Sequence, residues 1–224
     1  MNGLSKMKKM KRKEQGWIWR ERFGIVCLIL TIISLSIAIT INFRPLYVLD
    51  IDRLGILDYV YLDKATLLKN FDQLMNYLNN PFNHVLQLSD FPSSKSGAFH
   101  FYEVKRLFLL CYGVLLVTII PSALFVFRLI KSKRMWRLIR PFQWGMIIPV
   151  FFGALMAIGF DQFFVAFHGI FFNNDAWLFD PATDPIINVL PEEFFMHSFI
   201  LFFVLLELFF FLGIVVGKRE LKNI

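Results

Sequence analysis

Two histidines, His100 and His168, are the residues from which this chain could build proton-transfer chemistry. His100 lies in SKSGAFHFYEVKRLF with Glu103 three residues on, a spacing that puts both on one face of a helix beginning near Ala98. His168 closes DQFFVAFHGI, two turns after Asp161. The segment that follows, HGIFFNNDAWLFDPATDPIINVLPEEFF, carries Asp175, Asp180, Asp184, Glu192 and Glu193 and no Lys or Arg. Imidazole, with a reference pKa of about 6.5, is the side chain best suited to giving and taking protons near neutrality. A carboxylate beside it can orient the ring or meet an ammonium group, and Trp177 with its neighbouring phenylalanines can exclude water. Asp-Pro-Ala-Thr-Asp-Pro is also turn chemistry, so Asp180 and Asp184 are read as serving both purposes, with Asp175 favoured for the site. His84 and His197 stand in weaker contexts and are read as structural, as is Glu207, which is expected to pair with a polar or basic side chain on a neighbouring helix.

The elements that must position these residues are dictated by a bilayer. The 224 residues are 57% apolar and only 18% charged, with a mean hydropathy of +0.57, too apolar for an ordinary soluble domain. Crossing a hydrocarbon core of about 30 Å takes roughly 20 helical residues, and four stretches suffice, near 24–42, 107–130, 142–167 and 199–217. The first is read as an uncleaved anchor, because no small-x-small cleavage site follows it. The net charge of +7 is not a nucleic-acid signature, since eight Lys and Arg precede the first span, six lie between Arg128 and Arg140, and three follow Gly217. By the positive-inside rule, tails 1–23 and 218–224 are cytoplasmic and segments 43–106 and 168–198 lie outside. Trp17, Trp19, Trp136 and Trp144 are placed as an interfacial belt at the cytoplasmic ends. Pro121 and Pro149 fall within spans as sites for kinks. Cys27 and Cys111 lie in apolar runs and read as small buried hydrophobes. The 28 phenylalanines read as packing and lipid contact rather than as a groove.

The fold class is therefore an all-α membrane protein, four transmembrane helices with a mostly helical extracytoplasmic subdomain. In that subdomain Asp63 caps KATLLKNFDQLMNYLNN, whose Leu67, Leu68, Phe71, Leu74, Met75 and Leu78 recur at helical spacing. PLYVLDIDRLGILDYVYL shows no sustained period and reads as irregular, with a short strand or a helical turn. His100 and His168 then meet the same outer interface from opposite chain directions, which makes them functional candidates.

IAITINFRPLY, SKSGAFHFYEVKRLF and the long segment after His168 together resemble the small four-span lipoprotein intramolecular transacylases, over about residues 35–195. That family's usual His-x-x-Asp-Val-Lys reads here His100-Phe-Tyr-Glu103-Val-Lys105, one methylene longer at the carboxylate. The resemblance implies an enzyme of the bacterial cell membrane that takes diacylglyceryl-modified lipoproteins as substrate among the membrane lipids. It moves the sn-2 acyl chain to the cysteine α-amine and leaves a lyso-form lipoprotein. His100 and His168 become the catalytic pair, with Ser96, Tyr102, Glu103, Lys105, Asp175, Trp177 and Asp180 binding or supporting the substrate. Lys105 or the backbone amides near Ser96 to Phe99 are expected to serve the oxyanion. No metal, cofactor or nucleic acid is called for: donor and acceptor belong to one molecule, proximity supplies much of the acceleration, and the chain has no nucleophile elbow and no Gly-rich phosphate loop. Two rivals are a metal-dependent membrane hydrolase, for which no HExxH-like spacing exists, and a non-catalytic membrane assembly or channel protein.

Overall fold

A computed structural model describes residues 2–223, with side chains from Trp19 onward, so the expected place of Trp17 in the aromatic belt lies outside the described residues. Among them the regular structure is entirely helical: α1 (Asn2–Ile41), α2 (Arg44–Arg53), α3 (Lys64–Asn79), α4 (Lys95–Lys131), α5 (Ile139–Ile158), α6 (Phe160–Phe171) and α7 (Glu192–Lys222), joined by loops and three short 3-10 turns. Four stretches of these are long and apolar enough to cross a membrane, Trp19–Ile41, Lys95–Lys131, Met135–Ile158 and Glu192–Lys222. Both prolines expected to kink spans, Pro121 and Pro149, lie inside unbroken helices, α4 and α5. The helical run is interrupted at Gly159, whose extended backbone separates α5 from α6. The stretch read as one span over 142–167 is thus two helices, and His168 rides on the second.

The chain divides into two compact units. One comprises Met1–Leu35, Gly113–Ile147 and Leu206–Ile224. Its helices approach through small residues, as helices in lipid do when packing rather than hydrophobicity holds them together. The Phe125 ring lies where a Cβ on Gly24 would sit, and the buried Phe142 ring fills the space beside Gly213. The Thr31 hydroxyl donates to the Cys27 carbonyl and lies 2.9 Å from the Thr118 hydroxyl and 2.8 Å from that of Ser122, a polar patch joining α1 to α4. The Glu207 Oε1, expected to pair across helices, is buried with no hydrogen-bond partner.

The other unit, Ser36–Tyr112 with Ile148–Leu205, contains the histidines. Its core is made by Tyr47 and Ile51 of α2, Leu67, Phe71, Leu74, Tyr77 and Leu78 of α3, Phe101 of α4, and Ile186, Val189 and Leu190 from the 3-10 turn before α7. α3 forms as its periodicity requires: the Thr66 amide donates to the Asp63 carboxylate at 2.6 Å, which holds that carboxyl below its ordinary range. Residues 44–53, read as irregular, are helical. Pro45 begins α2, and Tyr47, Asp50 and Ile51 form its buried face. The period was hidden because one of the three inward positions is an aspartate. Asp50 is buried by accepting hydrogen bonds from Nδ1 of His197 at 2.9 and 3.0 Å, so a polar residue occupies an apolar position.

Because Phe142 is buried and stacked obliquely on Phe210, 5.2 Å away between centroids, its ring has little room to yield. A Cβ at Gly213 would come within 2.2 Å of it. Gly213→Ala should destabilise the protein by about 1–3 kcal/mol, measured as a lower thermal midpoint in detergent. Gly113→Ala, whose Cβ meets nothing within 4 Å, should be neutral or slightly stabilising.

Candidate active site

The site begins with how α4 starts. The Ser94 Oγ accepts from the Gly97 amide at 2.9 Å, and its carbonyl from the Ala98 amide, a side-chain N-cap that opens the helix at Lys95. The Ser94 amide in turn donates to Oδ1 of Asp184 at 2.7 Å, while the Thr183 hydroxyl donates to Oδ2 at 2.9 Å. Asp184, 3% exposed, is therefore the residue that docks the acidic loop onto the first turn of α4. The fit is close: a Cβ on Gly97 would lie 2.2 Å from the Asp184 carboxylate and 2.9 Å from the Phe179 ring.

This docking brings the loop's aromatics over the two histidines. His100 and His168 are 6% and 7% exposed, with ring centroids 5.8 Å apart. Phe172 and Phe179 meet His100 edge-on at 4.8 and 5.6 Å, and Trp177 stacks on His168 at 4.5 Å. Phe164, one turn earlier on α6, lies 4.3 Å from the His168 ring. Its carbonyl oxygen, which can only accept, is 2.8 Å from Nδ1 of His168, so Nδ1 carries the proton and Nε2 keeps its lone pair. The orienting group that sequence reasoning sought among carboxylates is this backbone carbonyl. His100 has a buried Nδ1 with no hydrogen-bond partner.

Of the other expected site residues, Trp177 joins the histidines, and Glu103 lies three residues after His100 on α4. Glu103 receives a 2.9 Å hydrogen bond from Asn174 at the start of the loop. Asp175 is exposed, and Asp180 is exposed with its Oδ1 accepting from the Ala182 amide, the turn role foreseen for it. Ser96 and Tyr102 are exposed on α4, the latter 6.5 Å from the Phe99 ring. Lys105 is buried but turned away, its Nζ donating to the Asn83 carbonyl and lying 4.4 Å above the Tyr77 ring. Sequence reasoning missed Gly97, Phe164, Phe172, Asn174 and Phe179. Asn174 and Glu103 are 71 residues apart, and no local spacing announces such a pair. Among the described residues no group of three or more His, Cys, Asp and Glu side chains is arranged to hold a metal. What the arrangement offers is two proton-transfer groups within one substrate's reach, in an aromatic enclosure that keeps water out.

The family model described as lipoprotein intramolecular transacylase Lit matches residues 22–195. Among curated protein sequences none matches at a significant level. Among solved structures, the membrane integral lipoprotein intramolecular transacylase Lit from Bacillus cereus superposes with a TM-score of 0.87 at 29% identity, covering 92% of this chain and 95% of that one. Two structures of the same protein with a single histidine replaced, by arginine or by alanine, superpose with TM-scores of 0.82 at 27% identity, covering 97% and 96% of this chain and 97% and 98% of theirs. With the match running from the first span to the start of the last, the chain belongs to the lipoprotein intramolecular transacylase family.

Proposed function

We propose that the protein transfers the sn-2 acyl chain of a diacylglyceryl-cysteine lipoprotein to the free α-amine of the same cysteine, yielding the lyso-form product, with His100 and His168 dividing the proton work. The observation that carries this reading is the pair of buried imidazoles 5.8 Å apart, each with a nitrogen free to take a proton. An α-amine with a reference pKa of about 7.7–8.0 is partly protonated at neutrality and needs a base to make it nucleophilic. One imidazole takes that proton as the nitrogen attacks the ester carbonyl. The departing glycerol oxygen is a poor leaving group unless protonated, and the second imidazole, or the first after relay, supplies the proton. Nucleophile and ester belong to one substrate molecule, so orientation within the aromatic enclosure does much of the work without a covalent enzyme intermediate. The Gly97 and Ala98 amides at the head of α4 are committed to Ser94, and the Lys105 ammonium to Asn83. The tetrahedral oxyanion is then best served by the imidazolium formed in the first step.

The site belongs at the extracytoplasmic face of the bacterial cell membrane with both termini cytoplasmic. The distribution of Lys and Arg supports this, 17 of 24 falling in the two tails and the loop between the second and third spans. The domains then read as a basic tail at 1–23, a four-span body at 24–217 with external segments 43–106 and 168–198, and a short tail at 218–224.

His100→Ala and His168→Ala should each lower formation of lyso-form lipoprotein about 10² to 10⁴ fold at normal enzyme levels, read by mass spectrometry of a lipoprotein's N-terminal peptide. His84→Ala, at an exposed position, should stay active, and full activity of His100→Ala would remove the second span from the site. Trp177→Ala should lower turnover by loosening His168, whereas Trp177→Phe, which keeps an aromatic face against the imidazole, should retain most of it. For the orientation, Ser93→Cys and Ala182→Cys, both at exposed positions, should react with an impermeant thiol reagent in intact cells; reaction only after lysis would reverse it.

A further inference from the structure

Glu103, three residues after His100 on α4, is a carboxylate with one oxygen left over. Its Oε1 accepts from Nδ2 of Asn174 at 2.9 Å. The orientation of that amide is fixed, because the Asn174 Oδ1 accepts from the Ala176 amide at 2.9 Å. The Glu103 Oε2 is buried and has no hydrogen-bond partner, and the same holds for Nδ1 of His100. The two residues stand three apart on α4, which gives them one helix face with Cβ atoms about 5–6 Å apart. The carboxylate oxygen is an acceptor, and Nδ1 is one in the tautomer of His100 that carries its proton on Nε2. The nearby donors are spent or absent: Lys105 is on Asn83, Arg106 is exposed, and segment 168–198 contains no Lys or Arg. A desolvated carboxylate oxygen without a donor is costly, and a cationic donor brought by the substrate relieves it best.

We propose that Oε2 of Glu103 and Nδ1 of His100 form the subsite for the substrate's α-ammonium, with Asn174 as the positioning residue that holds the carboxylate. The inference rests on the transacylase reading and assigns the ammonium to Glu103 rather than to the exposed Asp175. In it the ammonium first bridges the two acceptors. One N–H bond then breaks as a proton moves to Nδ1 of His100, and the freed lone pair attacks the ester carbonyl while Glu103 keeps the charge and holds a second N–H.

The test uses the full-length protein in detergent with His168→Ala, so that binding is read without turnover. The probes are a synthetic diacylglyceryl-cysteine peptide with a free α-amine and its N-acetylated counterpart. The free-amine peptide should bind at least about tenfold tighter, as expected for a charge-assisted hydrogen bond. Adding Glu103→Gln should abolish that preference while changing the affinity of the N-acetylated peptide by less than about twofold, and Glu103→Asp should retain most of the preference. Equal binding of the two peptides with Glu103 in place overturns the subsite, and this arm decides even where the Gln variant fails to fold. So does a Glu103→Gln variant that keeps the preference or weakens both peptides alike. A preference that depends on Glu103, in an enzyme that yields no lyso-form product before mutation, supports the subsite and overturns the transacylase reading instead.

Discussion

The hydrogen bond from the Ser94 amide to the buried carboxylate of Asp184 is the constraint on which the site depends. It joins the acidic loop to the N-terminal end of α4, where amides are not yet used by the helix. A carboxylate there also lies at the positive end of the helix dipole. With this contact made, Trp177 and Phe179 of the loop lie on His168 and His100. Gly97 permits it, since any larger residue would push the loop off.

Buried carboxylates recur in this unit in two different conditions. Asp184 and Asp50 are both nearly inaccessible and both satisfied, one by a backbone amide and a threonine hydroxyl, the other by His197. Each ties together chain segments far apart in sequence, and each is most simply explained as structural. Glu103 is held at one oxygen only. The role proposed for the substrate's cationic group is to satisfy the second oxygen.

The histidines themselves lack carboxylate partners among the described residues. An Asp or Glu hydrogen-bonded to imidazole would favour the charged ring strongly, whereas a backbone carbonyl fixes its tautomer without placing a full negative charge beside it. For a pair that must both take and give a proton within one reaction, orientation by the Phe164 carbonyl and by aromatic packing is the more useful arrangement.

How much of this was legible follows from the range of the interactions. The spans were read because the bilayer imposes length and hydropathy on each stretch independently. α3 was read because Asp63 caps it and its outer face is polar, both local facts. The histidines could be named because they are rare ionisable groups at span ends. α2 escaped because Asp50 sits on its inward face and is compatible with burial only through His197, 147 residues away. The division of the third hydrophobic stretch at Gly159 escaped because a glycine within an apolar run leaves its hydropathy unbroken. The sequence by itself determined the solvent, the four spanning stretches, α3 and the two candidate proton carriers, each a property of a short run of residues. Only the tertiary structure decided that Asp184 pins the loop, that a carbonyl orients His168, and that Glu103 is held by Asn174 while Asp175 is exposed and Lys105 bonds Asn83. The loop anchor and the Glu103–Asn174 pair are set by groups that meet across 90 and 71 residues of chain, where composition and periodicity carry no information, and the carbonyl that orients His168, though only four residues away, is a group that every residue carries.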